Sequence, residues 1–192
     1  MTTPTITEPR IRNGVNVDQM YGTLDAIKAQ PELAKFQFRV ANRWMGGSHN
    51  RSTIKDFYAA GQEDRSRAEA FSIDAGEPGI LLGHDEGANP AELLLHALAA
   101  CLTTSLVYVA AARGVELLEV TSTVEGNADV RGALGLSNEV RNGFQDVHVT
   151  FHVKANAPAE KVQELIERAQ ARSFVFDAVT NGVPVDVRVV AA

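Results

Sequence analysis

The sequence predicts an α+β protein in which curved antiparallel β-sheets cover one long buried central helix. Three observations carry that expectation. Alternating apolar and polar residues recur in FQFRVANRW, FQDVHVTFHVKA and VPVDVRVV, and a period of two marks a half-buried strand. One unbroken apolar run, LLLHALAACLTTSLVYVAAARG, lies between them and is too long for a strand. Each alternating face needs an apolar cover, and that run is the element able to supply it.

The elements follow in order. Residues 1–35 read as a helical extension, because Val17, Met20, Leu24 and Ile27 recur at helical spacing and Pro31 ends the pattern. Residues 36–192 read as one domain. Phe36, Phe38, Val40 and Trp44 share one face of a strand. The turn MGGSHN and the segment RSTIKDFYA then make Phe36–Ala59 a hairpin. SRAEAFSIDA predicts a third strand, and GEPGILLGHDEGANP a loop rich in turn residues.

The long helix has a marked start. Asn89 can cap it, Pro90 suits the first helical position, and Glu92 falls where a capping box places its acid. Arg113 and Gly114 suit its end. LLEVTSTVEGNADV and FQDVHVTFHVKA predict two strands joined by a polar connection. In the second, Val147, Val149, Phe151 and Val153 face inward while His148, Thr150 and His152 face outward. APAEKVQELIERAQAR is an amphipathic helix with Val162, Leu165, Ile166 and Ala169 as its stripe. A short helical turn, SFVFDAVTNG, precedes the expected last strand, VPVDVRVV.

Composition excludes several functions. A net charge of −6, from 18 basic and 24 acidic residues, argues against a nucleic-acid binder, which must neutralise phosphates. One cysteine allows no intrachain disulfide, which points to a reducing cytoplasm. The start, MTTPTITEPRIRNG, lacks the basic and apolar regions of a secretory signal. Leu93 to Ala112 is long enough to span a bilayer, but it is rich in alanine and is diluted by His96, Thr103, Thr104, Ser105 and Tyr108. A buried helix is therefore expected rather than a membrane span. His148 and His152 stand about 13 Å apart on a strand, and no zinc-type Cys/His spacing occurs. No metal and no cofactor is expected, since phosphate loops, dinucleotide fingerprints and serine nucleophile elbows are also absent.

The one cysteine, Cys101, sits in the middle of the apolar run. Twelve residues separate it from Asn89, so its own helix dipole is too distant to lower its pKa. Buried among Ala97, Leu98 and Leu102 it should titrate high and act as a small hydrophobe. A reactive thiol would need a cation, an arginine above all, delivered by the fold. Position alone leaves both readings open. Thr104 and Ser105, three and four residues on, share its helical face and are expected to line its surroundings with Leu98.

At this point the residues resemble a family. GANPAELLLHALAACLTTSLVYVAAARG is similar to the central-helix signature of the osmotically inducible protein C (OsmC) and organic hydroperoxide resistance (Ohr) proteins. The turn WMGGSHNRS, the unit FQDVHVTFHVKANAPAEKVQELIERAQARS and the closing VPVDVRVV fall in the family's order. The resemblance spans roughly Phe36 to Val190. It implies an OsmC-like fold and an intertwined homodimer, with two long helices at the centre and sites at the subunit interface. It also implies reduction of organic hydroperoxides. In active members a peroxidatic cysteine becomes a sulfenic acid, an arginine from the early hairpin and a glutamate near the helix start activate it, and a second cysteine resolves it as a disulfide.

Carried onto this chain, the resemblance puts Cys101 in the peroxidatic position and Arg51 in that of the activating arginine. The other two positions depart. Ala91 stands where the glutamate directly follows Asn-Pro, and Glu92 points nearly to the opposite face from Cys101. Ser173 stands where the second cysteine would fall, and it suits the cap of the following turn. Two functions are therefore expected to compete. The first is a one-cysteine peroxidase that uses an external thiol. The second is a non-catalytic dimer that binds a small lipophilic ligand in an interface pocket.

Overall fold

The computed structural model describes residues 8–190. The chain forms two compact units. One comprises Asn16–Leu94 with the residues up to Ile11, and the other runs from Leu95 onward with Arg12–Val15.

The strands β1 (Ile11–Arg12) and β2 (Val15–Asn16) flank a turn in which Asn13 and Gly14 take positive φ, the turn conformation that favours this residue pair. In the first unit, α1 (Val17–Ala29) is capped by Asn16, whose side chain accepts from the Gln19 N–H. A 3₁₀ turn beginning at Pro31 follows it. The strands β3 (Ala41–Gly46) and β4 (His49–Ile54) form the expected hairpin, and its turn needs positive φ at Gly46 and Gly47, where glycine carries no Cβ penalty. A small hairpin of β5 (Phe57–Ala59) and β6 (Gln62–Asp64) comes next. The third expected strand is β7 (Phe71–Ala75), antiparallel to β4, so the sheet order is β3-β4-β7 with β4 in the centre. The strand starts later than the sequence suggests. Phe36 to Val40 lie outside β3, tied instead by Gln37 bridging to Tyr58 and by Phe38 packing its ring against Phe36 and Phe57.

The long helix is α2 (Pro90–Arg113). Its capping box forms as expected. The Asn89 side chain accepts from the Ala91 N–H at 2.7 Å, and Glu92 accepts from the Asn89 N–H at 2.9 Å. At the far end Gly114 takes φ +78° and Val115 donates to the Ala110 carbonyl, which closes the helix in a Schellman turn.

In the second unit, β8 (Leu117–Ala128) is followed by a single helical turn, α3 (Val130–Ala133), and pairs antiparallel with β9 (Phe144–Ala155). Along β9 the alternation holds: Val147, Val149, Phe151 and Val153 are half-buried, while His148, Thr150 and His152 are exposed. Gly126 of β8 lies beneath the Phe144 ring, so close that a Cβ there would overlap it. The helices α4 (Ala159–Gln170) and α5 (Phe174–Asn181) complete the unit. Leu106 and Ala110 of α2 pack with Leu165 and Ala169 of α4 and with Val115. Val120 and Val153 of the two long strands close over them. Asn13 ties the β1–β2 turn to this unit by donating to the Val115 carbonyl and accepting from the Leu117 N–H.

One expectation needs correction. The segment 183–190 forms no strand, although its valines alternate. Val185, Val187 and Val189 are 78%, 83% and 91% exposed. A strand exists only through its ladder, and in one chain this segment has no ladder partner. Within the single chain the long helix is buried along one side. Leu98, Leu102, Leu106 and Ala110, spaced by four, are buried, whereas His96, Ala100, Thr104 and Tyr108, also spaced by four, are exposed.

Candidate active site

The surroundings of Cys101 are built by a chain reversal. Helix α4 stops at Ala171, and Ser173 takes an extended backbone (φ −80°, ψ 119°) that starts α5. As the α5 cap, its Oγ accepts from the Phe176 N–H at 3.3 Å. The same hydroxyl donates to Cys101 Sγ at 3.2 Å. Ser173 is 2% exposed. The N–H groups of Phe174 and Val175, among the orphan donors of a helix start, also reach the sulfur, as does the Ser105 hydroxyl. One half-buried sulfur thus accepts from the Ser173 hydroxyl, with the start of α5 and the Ser105 hydroxyl near enough to favour its charged form.

These groups set the acidity of the thiol. Burial is the largest single influence and pushes it up. The donors from Ser173, Val175, Phe174 and Ser105 together outweigh burial and hold Cys101 below the ordinary thiol value. This corrects the high titration expected from position. The N-terminus of α2 itself is remote from the sulfur, as expected. The positive helix end comes instead from α5. The missed signal was a coincidence at Ser173. It is a good helix cap before SFVFDAVTNG and stands where the resemblance expects the second cysteine, and the two together point to a helix start beside Cys101.

The other expected lining residues separate. Ser105 is half-buried and helps to lower the thiol, Leu98 is buried on the turn before Cys101, and Thr104 is exposed. In the same unit a small apolar pocket of about 90 Å³ is lined by Leu102, Leu106, Val149, Phe151 and Phe176 among others.

Arg51 lies in the first unit, at the middle of β4. Its register partner across the sheet is Asp74 of β7. Nε and Nη2 donate to the two Asp74 carboxylate oxygens at 2.8 and 3.2 Å, a fork-to-fork pair. His49 Nε2 also lies 2.7 Å from Asp74 Oδ1. Arg51, then His49, hold the Asp74 carboxyl below the usual carboxylate range. Ala91 offers no carboxylate, and that of Glu92 is engaged as the helix cap. Among the described residues no group of His, Cys, Asp and Glu could hold a metal ion.

Comparison with known proteins adds the following. The sequence profile of the family described as OsmC-like protein matches residues 83–188, more than half of the chain. The structure is similar to an OsmC-like protein from Mycoplasma pneumoniae, at 15% identity and TM-score 0.58, covering 80% of this chain and 96% of that one. It is also similar to an OsmC-like protein of unknown function from Vibrio cholerae, at 11% identity and TM-score 0.57, covering 75% and 94%. A third similar structure is an organic hydroperoxide resistance protein from Legionella pneumophila, at 18% identity and TM-score 0.50, covering 76% and 91%. At such identities the likeness is one of fold. No curated protein matches the sequence.

Proposed function

Because the chain belongs to the OsmC-like protein family, we propose that it reduces organic hydroperoxides through Cys101 as a one-cysteine peroxidase. The carrying observation is the set of donors that holds Cys101 below the ordinary thiol value in a half-buried site, since the thiolate is the nucleophile. The thiolate attacks the terminal peroxide oxygen. An S–O bond forms, the O–O bond breaks, and the departing alkoxide takes a proton to leave as the alcohol. Cys101 becomes a sulfenic acid, and the hydroperoxide is reduced by two electrons.

No second thiol exists in the chain, so a small external thiol completes the cycle. It condenses with the sulfenic acid, releasing water and forming a mixed disulfide. A second equivalent then frees Cys101 and leaves as the oxidised disulfide. Arg51 is the proposed activator, by resemblance, and the Asp74 fork that fixes its guanidinium supports the assignment. The proposed assembly is a homodimer, supported by the exposed apolar edges of α2 and of residues 183–190. A reducing cytoplasm is the proposed compartment, because turnover draws on a thiol pool.

The competing reading, a non-catalytic lipophilic-ligand binder, has less behind it. The apolar pocket of about 90 Å³ is well below the roughly 300–1,000 Å³ of small-molecule sites. The test is consumption of an organic hydroperoxide with excess small thiol, beside Cys101→Ser. Turnover lost in the variant supports the proposal, and equal rates for the two proteins overturn it.

A further inference from the structure

We propose that Ser173 is a positioning residue for Cys101, a hydroxyl that orients and polarises the sulfur from the place where the family keeps its resolving thiol. The proposal rests on the reading of Cys101 as the nucleophile. The geometry is specific. A serine hydroxyl has one proton to give and lone pairs to receive, and here both are used. The Phe176 N–H occupies the oxygen as acceptor at 3.3 Å, which fixes the rotamer. The single proton is then directed at Cys101 Sγ, 3.2 Å away. At 2% exposure, Ser173 has no water to turn to. The α5 cap therefore decides where the proton points, and it points at the sulfur.

The role differs from that of the thiol it replaces. A cysteine there would condense with an oxidised Cys101 and end the sulfenic state. A hydroxyl does not displace the sulfenic oxygen, so it leaves the sulfur free for an outside thiol. Before oxidation it favours the charged sulfur together with the Phe174 and Val175 amides.

The test reads ionisation and needs no peroxide, so its outcome is separate from that of the peroxidase assay. Cys101 alkylation by iodoacetamide is followed against pH in the full chain and in Ser173→Ala, Ser173→Thr and Ser173→Asp, with circular dichroism as the check on fold. Ser173→Ala is expected to shift the profile to higher pH and slow alkylation about tenfold at pH 7. Ser173→Thr keeps the hydroxyl and should restore the wild-type profile. Ser173→Asp keeps a helix-capping oxygen but brings a negative charge and no donor, and should shift the profile upward at least as far. It gives the reading even if Ser173→Ala fails to fold. Profiles for Ala and Asp variants that superimpose on wild type overturn the proposal. A peroxidase assay that fails while these shifts appear would overturn the proposed activity alone.

Discussion

At the scale of single residues, the strongest expectations concern the sulfur and two leucines of the core. Cys101 titrates below its ordinary value in the folded chain. Its ionisation therefore adds stability that is fully present above the unfolded thiol value of roughly 8.5 and is lost as pH falls through the folded one. Urea denaturation of wild type against Cys101→Ala should give a stability difference that shifts in favour of wild type between pH 6 and pH 9. Leu106 and Leu165 are 1% and 0% exposed. Replacing either by Ala should cost about 2–5 kcal/mol in the same measurement. The pair of Arg51 and Asp74 is different, being part-exposed. Asp74→Asn should leave the urea midpoint nearly unchanged and yet lower kcat/KM for hydroperoxide. Unchanged kinetics would remove the Asp74 fork from the mechanism. Cys101 was visible as a candidate in the sequence. Its acidity was not, because every donor except Ser105 lies some seventy residues further on, in α5.

At the scale of elements, local chemistry was legible wherever it was self-contained. Asn89, Pro90 and Glu92 announce the start of α2, and the structure forms the capping box they encode. Asn89→Ala should accordingly destabilise the protein by about 0.5–2 kcal/mol in urea, with Glu92→Ala costing less. The Gly46-Gly47 turn and the alternation of β9 were legible for the same reason, as each depends on neighbours within a few residues. Phe36 to Val40 alternates equally well, but alternation states only that one face is apolar. It does not state which segment supplies the ladder, and here aromatic packing with Phe57 and a single bridge to Tyr58 replace it. Reading a strand there was an error of pairing, not of pattern.

At the scale of the whole molecule, the fold class was legible because strand segments and one long apolar helix admit few arrangements. The assembly is a matter of surfaces. Val185, Val187 and Val189 stand exposed on an unpaired segment, and Tyr108 is half-exposed on α2. Light scattering at micromolar concentration should give twice the chain mass of 20.7 kDa. Tyr108→Glu combined with Val187→Lys should shift that mass toward the single chain, since a charge at a buried interface is strongly unfavourable. A monomeric wild type would refute the homodimer.

If Cys101 turns over as proposed, the hydroxyl of Ser173 also sets a hazard for the cell. In a two-thiol site, prompt closure of a disulfide shelters the oxidised sulfur from a second molecule of oxidant. In the proposed cycle Ser173 offers no such shelter, so the fate of each sulfenic acid is a race between reductant and further peroxide. When peroxide wins, the product is the sulfinic acid, from which ordinary thiols give no return. Under sustained excess oxidant this protein should thus inactivate itself turnover by turnover, gaining the mass of two oxygens at Cys101. The surviving fraction would then record the ratio of peroxide to thiol that the cell has experienced.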